Sequence, residues 1–292
     1  VLAGMVPDQF ANSMVSELRG SVGGQNKNTI VRDEMIILDI VASNFPERPI
    51  YFSVTVDRRK HMGLSKYMQR EGLAWRLIPA NPPGTNREFN NTDMMFDNIV
   101  NKWKWGNLDS EDHVYMEETA MRTAKMLRGN LIFLAQVMAS EGKKEKARQV
   151  LALLEEKFPT HNVPYTAIEN VFPVINTHVN LGDMEKAKAW TEPFFELAQQ
   201  EVAYNYEAGD LDNLRKRFGN APDFLFRMNN QQANQMNYYG QQLFNNLSVM
   251  NSLIQLYRQN GDTEYARTVR DNILAMEQEL DISLLDPSLR EM

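Results

Sequence analysis

Three short phrases constrain this chain more than any other feature of its sequence. Gly142-Lys-Lys-Glu-Lys-Ala147, Gly182-Asp-Met-Glu-Lys-Ala187 and Gly261-Asp-Thr-Glu-Tyr-Ala266 each place an alanine five residues after a glycine. Each lies between two stretches of helical periodicity. Glycine takes the left-handed conformation that ends a helix, an acidic residue suits the first turn of the next, and alanine lets the two helices approach closely. The phrases therefore predict pairs of antiparallel helices.

Counted back from Ala147, apolar residues fall at Leu131, Leu134, Ala135 and Met138 on the first helix. Leu151 and Leu154 follow on the second, with Pro159 beyond it. This is the spacing of the 34-residue tetratricopeptide unit. The second copy is looser, with Val171, Val174, Ile175 and His178, then Thr191 and Phe194. Pro193 is expected to kink or restart its second helix. The third copy uses Met250, Leu253, Ile254 and Tyr257, then Ile273, with Arg270 where an apolar residue is usual. The alanines stand 40 and then 79 residues apart, so the array is irregular and an insertion separates copies two and three. Within it, 11 of the 18 residues at 229–246 are Asn or Gln. Met236, Tyr239, Leu243, Leu247, Met250, Ile254 and Tyr257 recur at steps of three and four, which predicts a long amphipathic helix rather than a low-complexity tract.

Upstream the pattern changes. Residues 1–20 predict a short helix ending at Gly20, followed by a Ser/Gly/Asn/Lys linker at 21–28. Thr29 or Asp33 is the expected cap of the next helix. Its Met35, Ile36, Leu38, Ile40 and Val41 are dense enough to predict packing on both sides, and Asn44, Pro46 and Pro49 end it. The run Ile50-Tyr-Phe-Ser-Val-Thr-Val56 is the best strand. A charged turn, a helical piece at 62–70 and a second strand-like run at 73–78 complete a βαβ-like unit with parallel strands. Two strands make a poor sheet, so a third is expected from upstream of Val1, or the unit leans on neighbouring helices. Residues 81–86 (Asn-Pro-Pro-Gly-Thr-Asn) form a linker, and from residue 92 the chain reads helical almost throughout. The expected fold class is mainly α, a small N-terminal α/β (βαβ-like) unit at residues 1–85 and an irregular tetratricopeptide-like helical-repeat domain at 86–292.

Composition excludes several functions. A net charge of -7 and a pI near 5.3 have the wrong sign for nucleic acid. Without cysteine there is no disulfide, thiol nucleophile or cysteine-bound metal. No run approaches the roughly 18 apolar residues that span a bilayer. The chain opens Val1-Leu2-Ala3 with no signal-peptide pattern, so it is expected to be part of a longer protein with targeting information upstream. His61, His113, His161 and His178 are scattered, with no pair at helical ligand spacing, no H-E-x-x-H, no G-x-S-x-G and no P-loop. His178 holds a helix-packing position, which predicts a satisfied, half-buried imidazole. Glu111-Asp112, Glu117-Glu118 and Glu155-Glu156 diverge around their helices and read as solvated faces rather than glycosidase carboxylates. Lys143, Lys144, Lys146 and Arg148 form a small basic cluster at a repeat turn, a thin signal for anionic lipid. Trp75, Trp103 and Trp105 are candidates for stacking on sugar rings, with core or hinge packing the simpler reading. No catalytic residue, metal ligand or cofactor is assigned. In the repeat frame Gln136, Asn176, Asn251, Gln255 and Arg258 line a concave groove, and amides at three equivalent places suit the backbone of an extended peptide. A protein or peptide acceptor is the expected partner.

A family resemblance adds to this. Lys27-Asn28, Met35-Ile-Ile-Leu-Asp-Ile40, Arg48-Pro-Ile-Tyr-Phe-Ser53, Gly63-Leu64 with Tyr67, and Glu71-Gly-Leu-Ala-Trp-Arg-Leu-Ile-Pro79 together resemble a group of large multi-pass membrane proteins of Bacteroidetes. That group also includes the animal transmembrane O-mannosyltransferases. Asn90-Asn-Thr-Asp-Met-Met95, Trp103-Lys-Trp-Gly106 and the repeat at 142–159 resemble it too, so the likeness covers about residues 27–160. The R-P-I-Y-F and G-L-A-W-R-L-I-P blocks are its most specific part. The resemblance implies an upstream membrane domain of the GT-C glycosyltransferase type, absent from this sequence, that uses a lipid-linked sugar donor. Its acidic catalytic residue belongs to an early loop of that domain, and no position here matches it. This chain is then expected on the extracytoplasmic (periplasmic) face of the inner membrane as a non-catalytic, acceptor-positioning region. Two alternatives remain. One is a sugar-active enzyme domain with polar groups converging at the strand ends near Asp57, Arg58 and Pro79. The other is a structural dimerisation domain.

Overall fold

The computed structural model describes residue 6 and residues 8–21, 30–81, 89–165, 171–228 and 236–291. Nearly all of both expected linkers, the boundary at 85/86, Lys27-Asn28, Thr29 and the first seven residues of the amide-rich stretch lie outside the described residues. The chain is mainly helical with a small N-terminal four-stranded sheet, and it divides into two compact units, residues 1–106 and 107–292. Among the described residues no helix is long and apolar enough to cross a membrane.

Unit 1 holds helix α1 (Arg32–Asn44) and strands β1 (Tyr51–Ser53), β2 (Met68–Arg70), β3 (Ala74–Leu77) and β4 (Phe89–Asn90), in the order β1-β3-β2-β4. The parallel βαβ unit expected from the sequence does not form. Strand β3 runs antiparallel to both β1 and β2, with Tyr51 and Gln69 both opposite Arg76, and only β4 runs parallel, beside β2. The reason lies at Met62 and Gly63, whose φ values of 53° and 73° break the helix expected over 62–70. Two short 3-10 turns, Arg58–His61 and Ser65–Tyr67, take its place. A parallel pair needs a long crossover, whereas a hairpin needs only a tight turn. Residues 68–70 therefore fold back on β3, and the further strands of the sheet, β2 and β4, come from within the chain.

The helix expected over residues 1–20 does not form among the described residues of that span. Only Asp8–Ser13 is helical, as a 3-10 turn. Beyond it Met14 bridges Ala80, Val15 N donates to the Pro79 carbonyl at 3.0 Å, and Asn81 N donates to that of Ser13 at 2.9 Å. Pairing with residues 79–81 takes the bonds a helix would use, while Val6 packs with Ile78, Ala80, Phe89 and Phe10. Helix α1 starts after Val31, whose N–H is held by the Glu34 carboxylate at 3.1 Å, and Asp33 is not its cap. It packs through Ile37, Val41 and the following Phe45, leaving Met35, Ile36 and Ile40 about half exposed, so the expected packing on both sides fails. Consecutive apolar residues point all round a helix, and a sheet with strands of two to four residues covers one face. His61 and Trp75 belong to this core. The imidazole lies between the rings of Phe52 and Trp75, with centroids 5.4 and 5.2 Å away. Helix α2 (Thr92–Phe96) and a π-helical turn (Asp97–Lys102) complete unit 1.

Unit 2 contains α3 (Glu118–Ser140), α4 (Lys144–Lys157), α5 (Phe172–Leu181), α6 (Met184–Ala208), α7 (Leu211–Arg217), α8 (Phe224–Arg227), α9 (Tyr238–Gln259) and α10 (Thr263–Leu280). Residues 103–117 are not helical, in contrast to expectation. Asn162 ties part of that segment down, donating to the Leu108 and Ser110 carbonyls and accepting from Val114 N. Three hairpins, α3/α4, α5/α6 and α9/α10, turn at Gly142, Gly182 and Gly261, with φ of 76°, 83° and 89°. Ala147, Ala187 and Ala266 are fully buried. Helix α5 packs on α3 and α6, and α9 packs on α5, α6 and α10, so the first helices of the hairpins are neighbours.

A repeated polar bond joins successive hairpins. The residue after each of the first two alanines reaches the aspartate after the next glycine. Arg148 clasps Asp183 through Nε and Nη2, at 2.9 and 3.0 Å, and Lys188 meets Asp262 at 2.8 Å. The cations hold both carboxyls below the usual carboxylate range. Pro193 neither ends nor restarts α6, which runs unbroken through it. Ala189 and Pro193 are both exposed, so water can take up the carbonyl that proline leaves without a donor, while Thr191, Phe194 and Phe195 stay buried.

Candidate binding clefts

A concavity of about 720 Å³ in unit 1 lies where the sheet meets α2 and the π-helical turn. Strand β1 supplies Tyr51, the β2–β3 turn supplies Glu71 and Leu73, and α2 with its cap supplies Asn91, Asp93 and Met94. Asp97, Asn98, Lys102 and Trp103 close it. Each of the resemblance blocks R-P-I-Y-F, E-G-L-A-W, N-N-T-D-M-M and W-K-W-G contributes to this one cleft.

Local bonds fix its walls. The Asn91 side chain caps α2, accepting from Met94 N at 3.1 Å. Asn98 Nδ2 donates to the Glu71 carbonyl at 2.7 Å, and Trp103 N to the Asn98 carbonyl at 2.9 Å, the wide bond of a π turn. Gly72 lies beneath the indole, and its backbone conformation rather than lack of space calls for glycine. Its φ is 125°, and a Cβ there would stand 3.5 Å from Trp103 Cζ2. Trp105 lies against the other tryptophan, with ring centroids 5.4 Å apart. The Glu71 carboxylate is 9% exposed, takes a bond from Gln69 Nε2 at 2.9 Å and lies 3.7 Å from Arg76 Nη1. Burial, together with the charge of Glu71, raises the Tyr51 phenol. Lys102 pairs with Asp97 at 2.5 Å and holds its carboxyl down. Acceptors outnumber donors here, and an aromatic wall stands beside them.

In unit 2 the five expected groove residues have unequal places. Gln136 and Asn176 are half-buried on α3 and α5, while Gln255 and Arg258 are exposed on α9. Asn251 is buried and committed. Its Nδ2 donates to the Leu247 and Leu284 carbonyls and its Oδ1 accepts from Asp286 N, anchoring the segment after α10. Asn251 and Gln255 come together at a second cleft of about 320 Å³, whose apolar side is formed by Phe226, Met228, Phe244 and Leu247.

Other candidates are occupied structurally. His178 is 1% exposed, yet neither ring nitrogen makes a hydrogen bond, so the satisfied, half-buried imidazole is corrected. Its nearest carboxylates, Glu155 and Asp183, stand 3.9 and 4.0 Å away, and burial lowers its pKa. The close packing of α4, α5 and α6 explains this, because it seals the ring without aligning a partner. His113 and His161, far apart in sequence, meet, as His113 Nδ1 donates to the His161 carbonyl at 3.1 Å. Glu117 caps α3, accepting from Thr119 N and Ala120 N. Lys143 and Arg148 of the basic cluster are ion-paired. Asp57 caps the turn beginning at Arg58, and the Pro79 carbonyl is taken by Val15. Sequence reasoning missed Arg128, buried on α3, which donates to the Val163 carbonyl at 2.7 Å and stacks 3.8 Å over Tyr165. Among the described residues no group of three or more His, Cys, Asp or Glu side chains is placed to hold a metal ion.

Comparison with known proteins bears on unit 1. Residues 1–97 match the family model of TMEM260-associated domain 2. This links that third of the chain to the TMEM260 family, which is related to the animal O-mannosyltransferases. No curated protein and no solved structure matched.

Proposed function

We propose that this chain is the non-catalytic, extracytoplasmic part of a membrane glycosyltransferase-related protein and holds an extended segment of a protein acceptor. The family match supports the glycosyltransferase connection. In this reading the hairpins are tetratricopeptide-like repeats, whose stacked first helices offer a concave face to a peptide. A GT-C-type membrane domain upstream carries out the transfer, and the chain works on the periplasmic side.

One observation carries the peptide-holding part. Gln255 stands at the edge of the α9 cleft beside Phe226 and Phe244, so a backbone partner and a side-chain pocket lie together. Extended peptides are bound through that combination. Gln136 and Asn176 occupy the equivalent places, eleven residues before Ala147 and Ala187. The test uses a 12-residue peptide selected against the full chain from a random display library. Combined replacement Gln136→Ala, Asn176→Ala and Gln255→Ala should weaken its binding by about tenfold, roughly 1.4 kcal/mol, with the melting temperature unchanged. Equal binding by the triple variant overturns the reading.

A further inference from the structure

We propose that the cleft between Tyr51, Glu71 and Trp103 binds one ring of a neutral hexose-containing glycan, with Trp103 stacking on its C–H face. This goes beyond the peptide-holding reading of unit 2 and stands on the geometry of unit 1.

The chemistry of the walls selects the ligand. A pyranose has one apolar face of C–H bonds and a rim of hydroxyls that donate and accept. The half-buried indole of Trp103 is braced by Trp105 and by the bare backbone of Gly72, and the rest of it lines the cavity. Such a fixed aromatic surface needs little ordering on binding. Around it stand three carboxylates, Glu71, Asp93 and Asp97, suited to accept from hydroxyls, with the Asn91 and Asn98 amides beside them. At about 720 Å³ the cleft falls within the range of small-molecule sites, roughly 300–1,000 Å³.

Charge removes two competitors. Lys102, the ammonium in the lining, is already taken by Asp97, so a phosphate or an acidic sugar would meet no unpartnered cation there. A lysine- or arginine-rich peptide is disfavoured for a related reason. Lys102 already pairs with Asp97, and the Glu71 carboxylate is buried against Gln69 and Arg76. The residual field is therefore small, and a neutral polyol is the ligand that loses least on entry.

The full chain is titrated with maltotriose, cellotriose, mannotriose and chitotriose, read by tryptophan fluorescence and by saturation transfer from protein to sugar. Saturable binding of at least one is expected, with its ring protons receiving the transfer. Trp103→Ala should lower that affinity about tenfold or more while the melting temperature stays within a few degrees, and Trp103→Phe should restore part of it. Should Trp103→Ala unfold the chain, Trp103→Phe in parallel with Tyr51→Ala gives the reading, each weakening binding at least threefold. Absence of saturable binding by all four sugars overturns the proposal. So does equal binding by the Trp103 variants, or tighter binding of an oligolysine probe than of any sugar. The selected peptide, measured on the same samples, separates the two ideas. Trp103→Ala should leave peptide binding intact, and the triple groove variant should leave sugar binding intact.

Discussion

Residues 107–292 settle most of their backbone bonds inside helices, which pack within hairpins and against the helices of the adjoining hairpin. Residues 1–106 do the opposite. Strands of two to four residues find partners across the unit, as Tyr51 does opposite Arg76 and Met14 beside Ala80. In unit 2 the same solution is used repeatedly, with a left-handed glycine, a buried alanine and a cation reaching the next aspartate. In unit 1 each device occurs once, and the blocks of family resemblance meet at a single cleft. Repetition builds an extended helical face, whereas the one-off unit builds a concavity.

The largest expected effect tests the repeated core. Ile254 is fully buried on α9. Ile254→Ala should cost about 3 kcal/mol, read as a lowered urea midpoint at constant slope. A cost below about 1 kcal/mol would mean that α9 is not the shared wall of the last two hairpins.

Next come the glycines, which separate the units most cleanly. Gly182 has an ordinary left-handed φ of 83° and open space where a Cβ would go. Gly182→Asn should therefore cost only a few tenths of a kcal/mol. Gly72, at 125° and beneath Trp103, lies beyond the well that asparagine tolerates, and Gly72→Asn should cost about 2 kcal/mol. Equal costs in thermal melts would erase the distinction between a generic turn and a specific one.

A smaller effect follows from His178. Burial lowers its pKa in the folded chain, so the unfolded chain takes up the proton first. Stability should then be full above the ordinary histidine value, about 6.5, and fall as pH drops through it toward the lower folded value. His178→Gln should flatten the melting temperature between pH 7 and pH 5. An unchanged slope would place the pH dependence elsewhere.

The smallest effect is expected at the inter-hairpin bonds. Lys188→Ala and Asp262→Ala should each lower the melting temperature slightly, and the double variant should cost less than the two together. Both carboxyls are held below their usual range, so this contribution is present above about pH 4 and disappears as pH falls through the lower folded values. Strict additivity would remove the bond as a link between hairpins.

Legibility follows the same division. The hairpins were readable because glycine, alanine and the 3.6-residue period are local signals, and α3, α4, α9 and α10 fall where the pattern puts them. The sheet was misread because strands of three or four residues are too short for a period. The left-handed Met62 carries no sequence signature at all. His178 was placed correctly in a helix, but whether a buried imidazole finds a partner depends on side chains from other helices. The cleft of unit 1 was invisible to spacing, since Tyr51, Glu71, Asn91 and Trp103 come from separate elements. Only the blocks of family resemblance pointed to it, as a set without a shape.

The central claim is that the stacked first helices form a working surface for an acceptor. A photoreactive benzoylphenylalanine at Gln136, Asn176 or Gln255 in the full chain should capture the selected peptide. The same group at Arg267, exposed on the second helix α10, should not. Capture at Arg267 with none at the three amide positions would contradict the account.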